Sequence, residues 1–248
     1  MGKIFHREKK GGAIKTIKLI AELRETYYDI IIDLRTNLIP VVLRSSKKIF
    51  KTKRVSTTQH SVEEHYEAIL TLDGVTSPPP KCRLYVEDHA KTEARQLMKN
   101  FAGKKLLAIG PGANWPGKIW PATRFEELVI DLETYFDGVI QLGSEGEGVI
   151  FSEEVNIPNL DLTGKTNLAS LKAVIKSCQL FIGNDSGLGH VAAALGKRSL
   201  TVFGVGDPER YRPWGHQSAV VIEPSKDLRR LKSSHVSNAA KQLVESGL

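Results

Sequence analysis

A strand, a glycine-bearing turn and a helix follow one another between Leu180 and Gly196. The apolar residues that begin at Leu180 are typical of a buried strand, and residues 188–195 have the composition of a helix that Gly196 would terminate. Such a turn directs free N–H groups and the positive end of the helix dipole at one place, an arrangement that binds phosphates. An ordinary helix N-cap at Asp185 or Ser186 would explain the turn equally well. The segment therefore indicates an α/β fold more firmly than it indicates a ligand.

A second glycine-rich loop, at residues 110–121, also leaves a short apolar strand, at residues 105–109. A helix is predicted after it, over residues 122–135. The loop carries Lys118, a mobile positive charge suited to phosphate, although most loop lysines are simply solvated. A dinucleotide fingerprint is excluded because Trp115 stands where the third glycine would fall, and no Walker A lysine-serine or lysine-threonine pair occurs.

Strand and helix signals alternate along the chain, which favours an α/β fold with parallel sheets. A stiff Ser-Pro-Pro-Pro stretch at residues 77–80 is interpreted as an interdomain linker. We therefore predict an N-terminal domain over residues 1–76, a C-terminal Rossmann-like domain over 81–232 and a closing helix over 233–248. Helices are predicted at 14–23, 61–70, 88–101, 122–135, 168–177, 188–195 and 234–245, strands at 29–34, 105–109, 138–142, 179–183, 199–203 and 220–222, and either element at 38–43.

The composition is that of an ordinary globular protein, with 41% apolar and 25% charged residues among 248. No apolar run reaches the roughly 18 residues of a membrane-spanning helix, and the first residues lack the apolar centre of a signal peptide. Cys82 and Cys178 do not have a metal-ligand spacing, and two reduced thiols are a better interpretation than a disulfide. We therefore expect a soluble, cytoplasmic protein.

Four short segments occur in an order and spacing found in one enzyme family. They are Lys-x-Trp-Pro at residues 118–121, Gly-Ser-x-x-Glu at 143–147, Asn-Asp-Ser-Gly-x-x-His-x-Ala-Ala-Ala-Leu-Gly at 184–196 and Phe-Gly-x-x-Asp-Pro at 203–208. Over roughly residues 105–215 the chain therefore resembles the heptosyltransferases of lipopolysaccharide synthesis, glycosyltransferase family 9.

The resemblance implies a GT-B fold, in which the C-terminal domain binds a nucleotide-sugar donor and the N-terminal domain binds the acceptor. The implied reaction is inverting transfer of a heptose from ADP-heptose to a lipopolysaccharide core sugar. No metal or other cofactor is expected, since no Asp-x-Asp motif occurs and the ADP-sugar is itself a substrate. The implied donor-binding residues are Ala113, Asn114, Lys118, Glu145, Thr166, Asp185, Ser186, Gly187, Leu188 and His190.

Some of these residues would act on the diphosphate of the donor. Backbone N–H groups around residues 186–188 and the ammonium group of Lys118 are suited to the charge that develops on the leaving diphosphate. His190 would donate a further hydrogen bond, although a packed helix-face histidine explains it as well.

The other residues would bind the sugar and the nucleoside. By resemblance, Asp185 would hold sugar hydroxyls, because a carboxylate repels phosphate. Glu145 would contact the ribose, and Thr166 would lie near the base. Ala113 and Asn114 occupy loop positions that touch the donor.

The beginning of the chain departs from the family pattern. Members usually start with a strand and a Gly-Asp loop whose aspartate deprotonates the acceptor, whereas residues 11–14 lead directly into a predicted helix. The N-terminal domain is therefore expected to be incomplete. Asp33, His60 and Glu64 are candidate bases, but we interpret Asp33 as a strand-end or turn residue and the other two as surface or helix-start groups. The catalytic base is not assigned.

Basic residues are concentrated between Arg44 and Arg54, and the whole chain has a net charge of +7. A solvated surface is the commonest explanation of such a run. It would also suit an anionic glycolipid acceptor or the inner membrane surface, at about 1 kcal/mol per well-placed cation. Nucleic acid is less suitable, because no aromatic residues alternate with the basic ones.

Two further function classes stay open. One is a non-catalytic nucleotide-sugar-binding relative of the family, and the other is an unrelated Rossmann-type protein that binds a plain nucleotide. A nucleic-acid-binding role would rest on the basic run alone.

Overall fold

The computed structural model describes residues 3–6, 12–35, 39–50, 56–70, 72 and 78–245. The chain divides into two compact units, Met1–Pro80 and Lys81–Leu248. No helix in the described part of the chain is long and apolar enough to cross a membrane.

The first unit contains a small parallel sheet. Its strands β1 (Tyr28–Asp33) and β2 (Ser45–Phe50) pair from Tyr28 opposite Ser45 to Asp33 opposite Phe50. The helices are α1 (Gly12–Arg24), α2 (Ile39–Val42) and α3 (Ser61–Leu70). The short α2 resolves the ambiguity at residues 38–43 in favour of a helix.

Strand β2 is a correction to the predicted elements, because part of the basic run lies in it. Lys47 and Lys48 belong to the strand, which follows directly after Arg44. Two lysines and two serines in six residues are unfavourable for a strand, and pairing with the apolar β1 overrides that preference. Lys51, Lys53 and Arg54 lie outside the described residues.

The second unit is a six-stranded parallel sheet with the order β5-β4-β3-β6-β7-β8. Its strands are β3 (Leu106–Gly110), β4 (Gly138–Gln141), β5 (Asn159–Asp161), β6 (Leu180–Asn184), β7 (Arg198–Phe203) and β8 (Ser218–Ile222). Its helices are α4 (Asp88–Leu97), α5 (Ala122–Leu132), α6 (Leu168–Ser177), α7 (Gly187–Ala194), α8 (Pro208–Tyr211) and α9 (Ser233–Glu245).

The elements missed in this unit are short. The three-residue β5 and the four-residue α8 were not predicted. The helix predicted at 88–101 ends at Leu97, and Lys99–Phe101 forms a separate 3₁₀ turn. The predicted termination at Gly196 is confirmed, since its φ of 69° is the left-handed value that glycine adopts most easily.

Helices cover both faces of the larger sheet. Alternate residues of β3 enter different core clusters: Leu107 and Ile109 pack with residues of α5 and α9, whereas Leu106 and Ala108 pack with residues of α4 and α6. All five residues of β3 are buried. This two-sided burial explains why the central strands are continuous apolar runs in the sequence.

The strand order identifies the edge of the sheet at which ligands bind in open parallel sheets. Chain order runs outward in one direction from β3 to β5 and in the other from β6 to β8, so the direction reverses between β3 and β6. In open parallel sheets, ligands bind beyond the carboxyl ends of the strands at this switch point. The two glycine-rich loops leave β3 and β6 at that place.

The two thiols have different surroundings. Cys82 is exposed and Cys178 is buried, and both are free. Burial raises the pKa of the Cys178 thiol to about 12, so this thiol stays protonated and unreactive at neutral pH.

Candidate functional site

Glycines allow the two central strands to end close together. Gly110 of β3 lies opposite Gly183 of β6. A Cβ atom at Gly183 would lie 2.9 Å from the carbonyl oxygen of Gly110 and 2.8 Å from the ring of Phe181. No side chain fits between the strands here, so the loops that follow begin side by side.

An ion pair joins these two loops. Lys118 ends the 3₁₀ turn Pro116–Lys118, and its Nζ lies 2.5 Å from Oδ2 of Asp185, directly after β6. The side chain of Lys118 is 30% exposed and that of Asp185 only 9%. Two residues for which the sequence suggested different roles are therefore in contact.

The N-terminus of α7 faces the same place without a side-chain cap. Ser186 is the N-cap residue in extended conformation, but its side chain makes no capping hydrogen bond, and its buried Oγ lacks a partner within the described residues. At Gly187 an added Cβ would have no atom within 4 Å. The ordinary N-cap interpretation therefore does not describe this turn, and the first N–H groups of α7 are available to an anion.

His190, on α7, lies within the electrostatic reach of the ion pair. Burial is the main cause that lowers the pKa of His190 below its usual value. The carboxylate of Asp185 opposes this shift, and the ammonium group of Lys118 adds to it. The imidazole is therefore mostly neutral at pH 7 and can donate one hydrogen bond.

Asn184 connects the end of β6 to both ends of the first loop. This residue is fully buried. Its Oδ1 accepts a hydrogen bond from the backbone N–H of Trp120 (3.1 Å), and its Nδ2 donates to the carbonyl oxygen of Pro111 (2.6 Å). Trp120 is itself fully buried, and its Nε1 donates to the carbonyl oxygen of Leu231 at 3.0 Å. Asn184 was not among the predicted site residues, although it begins one of the four segments.

The remaining residues predicted on this loop lie between those anchors. Ala113 is partly buried and Asn114 is exposed. Both therefore sit on the segment whose ends Asn184 holds.

A third loop, after β4, brings a carboxylate to the first loop. Glu147 accepts a hydrogen bond from the backbone N–H of Ser144 at 2.6 Å. An added Cβ at Gly112 would overlap the carboxylate of Glu147, so these two residues are in direct contact. The predicted Glu145 is exposed and lies against Gly164. Glu147 was not among the predicted site residues, although it is the glutamate that ends the Gly-Ser-x-x-Glu segment.

Thr166 lies in the loop that leads into α6. Its Oγ1 is buried and lacks a hydrogen-bond partner within the described residues. Asn167 and Ser170 cap the helix reciprocally, which fixes the residues next to Thr166. The backbone N–H of Gly164 donates to the carbonyl oxygen of Gly143 at 3.0 Å, so this loop is joined to the one after β4.

The three candidate bases lie in the first unit. The carboxylate of Asp33 accepts hydrogen bonds from the backbone N–H groups of Arg35 (2.9 Å) and Ile39 (3.3 Å), as expected of a residue that ends a strand. His60 and Glu64 are only 2% and 1% exposed, so they are not surface groups, but both lie at the start of α3, which agrees with the alternative interpretation as helix-start groups. Nδ1 of His60 accepts from the N–H of Val62, which makes His60 part of the α3 terminus.

Within the described residues, no group of three or more His, Cys, Asp or Glu side chains could hold a metal ion. The structure brings the titratable side chains of Lys118, Asp185 and His190 together at the switch point, and Glu147 contacts Gly112 of the loop that follows β3.

A Rossmann-like sheet with an open helix N-terminus and a lysine at its switch point is typical of nucleotide- and phosphate-binding domains. The family model of glycosyltransferase family 9 (heptosyltransferase) matches residues 42–238. The chain therefore belongs to glycosyltransferase family 9, and the predicted resemblance is confirmed.

Relatives agree with this assignment. Lipooligosaccharide heptosyltransferase 2 of Campylobacter jejuni is 30% identical over 127 residues, which are 48% of this chain and 40% of that protein. Lipopolysaccharide heptosyltransferase 3 of Escherichia coli is 26% identical over 223 residues, covering 80% of this chain and 65% of that protein. The matched part of the chain thus spans less than two thirds of the length of either relative.

Solved structures share the fold. ADP-heptose lipopolysaccharide heptosyltransferase II of E. coli superposes with a TM-score of 0.72 at 20% identity, over 92% of this chain and 80% of that one. A family 9 glycosyltransferase of Veillonella parvula gives a TM-score of 0.82 at 18% identity, over 96% and 81% of the two chains. The predicted α/β fold of GT-B type is confirmed.

Proposed function

We propose that this chain is a glycosyltransferase that transfers a heptose, or a related sugar, from an ADP-sugar to a lipopolysaccharide core acceptor with inversion. The observation that carries the proposal is the uncapped N-terminus of α7 beside Lys118 at the sheet's switch point. Such a site complements the diphosphate of a nucleotide-sugar, and family membership makes a sugar nucleotide the best-supported ligand.

Inverting transfer requires an acceptor oxygen to attack the anomeric carbon while the nucleoside diphosphate leaves. The N–H groups around Gly187 and Leu188 and the ammonium group of Lys118 supply positive charge where negative charge grows. His190, mostly neutral at pH 7, donates a hydrogen bond to the same leaving group. We propose that these groups carry the leaving-group charge without a metal ion.

The other predicted residues recognise the rest of the donor. Asp185 accepts hydrogen bonds from sugar hydroxyls, Glu145 contacts the ribose, Thr166 lies near the base, and Ala113 and Asn114 line the first loop. Glu147, which contacts Gly112, places a carboxylate beside the first loop in addition to that of Asp185.

The acceptor is proposed to be an anionic glycolipid. Arg44 and Lys48 are exposed on and beside β2, and they provide positive charge on the first unit. A peripheral contact of the basic residues 44–54 with the cytoplasmic face of the inner membrane accords with such an acceptor.

A donor-binding protein without transferase activity is the second candidate. It is favoured by one observation: the candidate bases Asp33 and His60 are engaged in local backbone hydrogen bonds. Saturable binding of an ADP-sugar without transfer to lipopolysaccharide core would distinguish it.

Calorimetric titration with ADP-heptose, UDP-sugars and GDP-sugars tests the donor site. We expect saturable binding that prefers the ADP-sugar, weakened about ten- to a hundredfold by Lys118→Ala, because a charge-assisted contact is lost. Lys91→Ala is the matched control, since Lys91 forms an exposed ion pair with Asp88 on α4. A folded wild-type chain that binds none of these ligands would contradict the proposal.

A further inference from the structure

The loop from Pro111 to Trp120 carries the three predicted donor residues Ala113, Asn114 and Lys118, yet it contains little regular structure of its own. Its only described helical element is the three-residue turn Pro116–Lys118. Asn114 and Trp115 are exposed near its tip. What fixes such a loop must therefore come from outside it.

Two consecutive residues at the end of β6, its last residue Asn184 and the following Asp185, make side-chain contacts with the loop. Asn184 bonds to both ends of the loop, at Pro111 and Trp120, through the two halves of one amide group. Asp185 then holds Lys118 inside the loop. The same turn begins α7, so the loop and the helix N-terminus are positioned by one short piece of backbone.

The chemistry of the amide suits both bonds. Trp120 offers an N–H donor and Pro111 a carbonyl acceptor, so the partner must have one acceptor and one donor side by side. An asparagine side chain has both, and a carboxylate has only acceptors at neutral pH. Because Asn184 is fully buried, removing its side chain takes the protein partner from two backbone groups in the interior, where an unmade hydrogen bond is costly.

We propose that Asn184 is a positioning residue that holds the loop Pro111–Trp120 in its ligand-ready conformation before the donor arrives. This inference rests on the proposed function for the identity of the ligand. The two hydrogen bonds by which Asn184 holds the loop do not depend on that function. A preformed loop saves the entropy of ordering it on binding, so Asn184 strengthens donor affinity without contacting the donor.

Two variants separate the two bonds. Asn184→Ala removes both hydrogen bonds. Asn184→Asp keeps an acceptor for the N–H of Trp120 but places an oxygen against the carbonyl oxygen of Pro111. Gln179→Ala is the matched control, because Oε1 of Gln179 accepts from the N–H of Leu106 at 2.6 Å and so joins the same strands at their opposite ends.

Amide hydrogen exchange of the ligand-free chain is the first measurement. In Asn184→Ala we expect at least tenfold faster exchange at the amides of Gly112, Ala113 and Trp120. In Asn184→Asp we expect faster exchange only at the amides of Gly112 and Ala113, next to Pro111. The amide of Trp120 stays protected. Gln179→Ala leaves the loop unchanged. Unaltered loop exchange in Asn184→Ala would overturn the proposal.

Affinity for ADP and for ADP-heptose, measured well below each variant's unfolding midpoint, is the second measurement. We expect Asn184→Ala to raise both dissociation constants about tenfold, whereas a purely structural residue would lower the midpoint and leave affinity unchanged. Faster loop exchange with unchanged affinity therefore also overturns the positioning role. A wild-type chain that binds neither ligand would refute the proposed function, and hydrogen exchange would still decide whether Asn184 clamps the loop.

Discussion

The ion pair between Lys118 and Asp185 gives both residues a role before any ligand is present. Asp185 is the more buried partner, with a side chain only 9% exposed. A carboxylate so enclosed depends on its counterion, because isolated buried charge is costly. Removing Lys118 therefore deprives the site of a cation and also leaves an uncompensated anion beside the α7 terminus.

A double-mutant cycle measures this dependence. We expect Lys118→Met and Asp185→Asn each to lower the free energy of unfolding, and the double variant to lose less than the sum, with a coupling of about 1 kcal/mol. Urea denaturation of the four proteins gives the coupling. The exposed Lys91–Asp88 pair serves as the reference and should couple by less than about 0.5 kcal/mol. Strict additivity for Lys118 and Asp185 would show that the pair does not stabilise the fold.

At this scale the sequence indicated some residues of the candidate site and not others. Lys118 and Asp185 were predictable because each lies in a local strand–loop–helix pattern. Asn184 was missed because its partners are 64 and 73 residues away in the chain. Glu147 was missed because the bend that turns its carboxylate toward Gly112 is a property of the folded loop.

Secondary-structure elements were predictable where burial on two faces makes them uniformly apolar. Strands β3, β4, β6 and β7 are almost wholly buried and were predicted within one or two residues. Strands β2 and β5 carry polar residues at an edge position, so only pairing with a neighbour defines them. A single sequence shows which residues are apolar, but it does not show which strands pair.

Substitutions at two glycines test how closely β3 and β6 must approach. Gly183→Ala should lower the free energy of unfolding by about 1–3 kcal/mol, because its Cβ would meet the backbone oxygen of Gly110. Gly187→Ala is the control on the neighbouring helix, where an added Cβ meets nothing within 4 Å, and we expect no loss or a gain of up to about 1 kcal/mol. Thermal or denaturant unfolding gives both values. Equal effects at the two positions would contradict the close-approach explanation.

Across the whole chain, the stabilising contacts are unevenly distributed between the two units. Every member of the two large core clusters belongs to Lys81–Leu248. In the first unit, α1 has no buried residue, and the described sheet has only two strands. Two-stranded sheets are marginally stable alone. Because both core clusters lie in the second unit, we expect that unit to fold independently of the first.

Expression of residues 81–248 alone tests this independence. We expect a single cooperative thermal transition by circular dichroism, at a midpoint within a few degrees of that of the full chain, because both core clusters are retained. The isolated residues 1–80 should show no such transition. Broad, non-cooperative melting of the 81–248 fragment would mean that contacts with the first unit are needed for its fold.

The strand order of the second unit also has a consequence during synthesis on the ribosome. Strand β3 can pair with β4 soon after both emerge, but its other edge waits for β6, and Pro111 waits for the amide of Asn184, 73 residues later. At about 5–20 residues per second, that interval is roughly 4–15 seconds. For this time the nascent chain presents the unpaired edge of a strand with apolar side chains, the kind of surface that chaperones protect from aggregation.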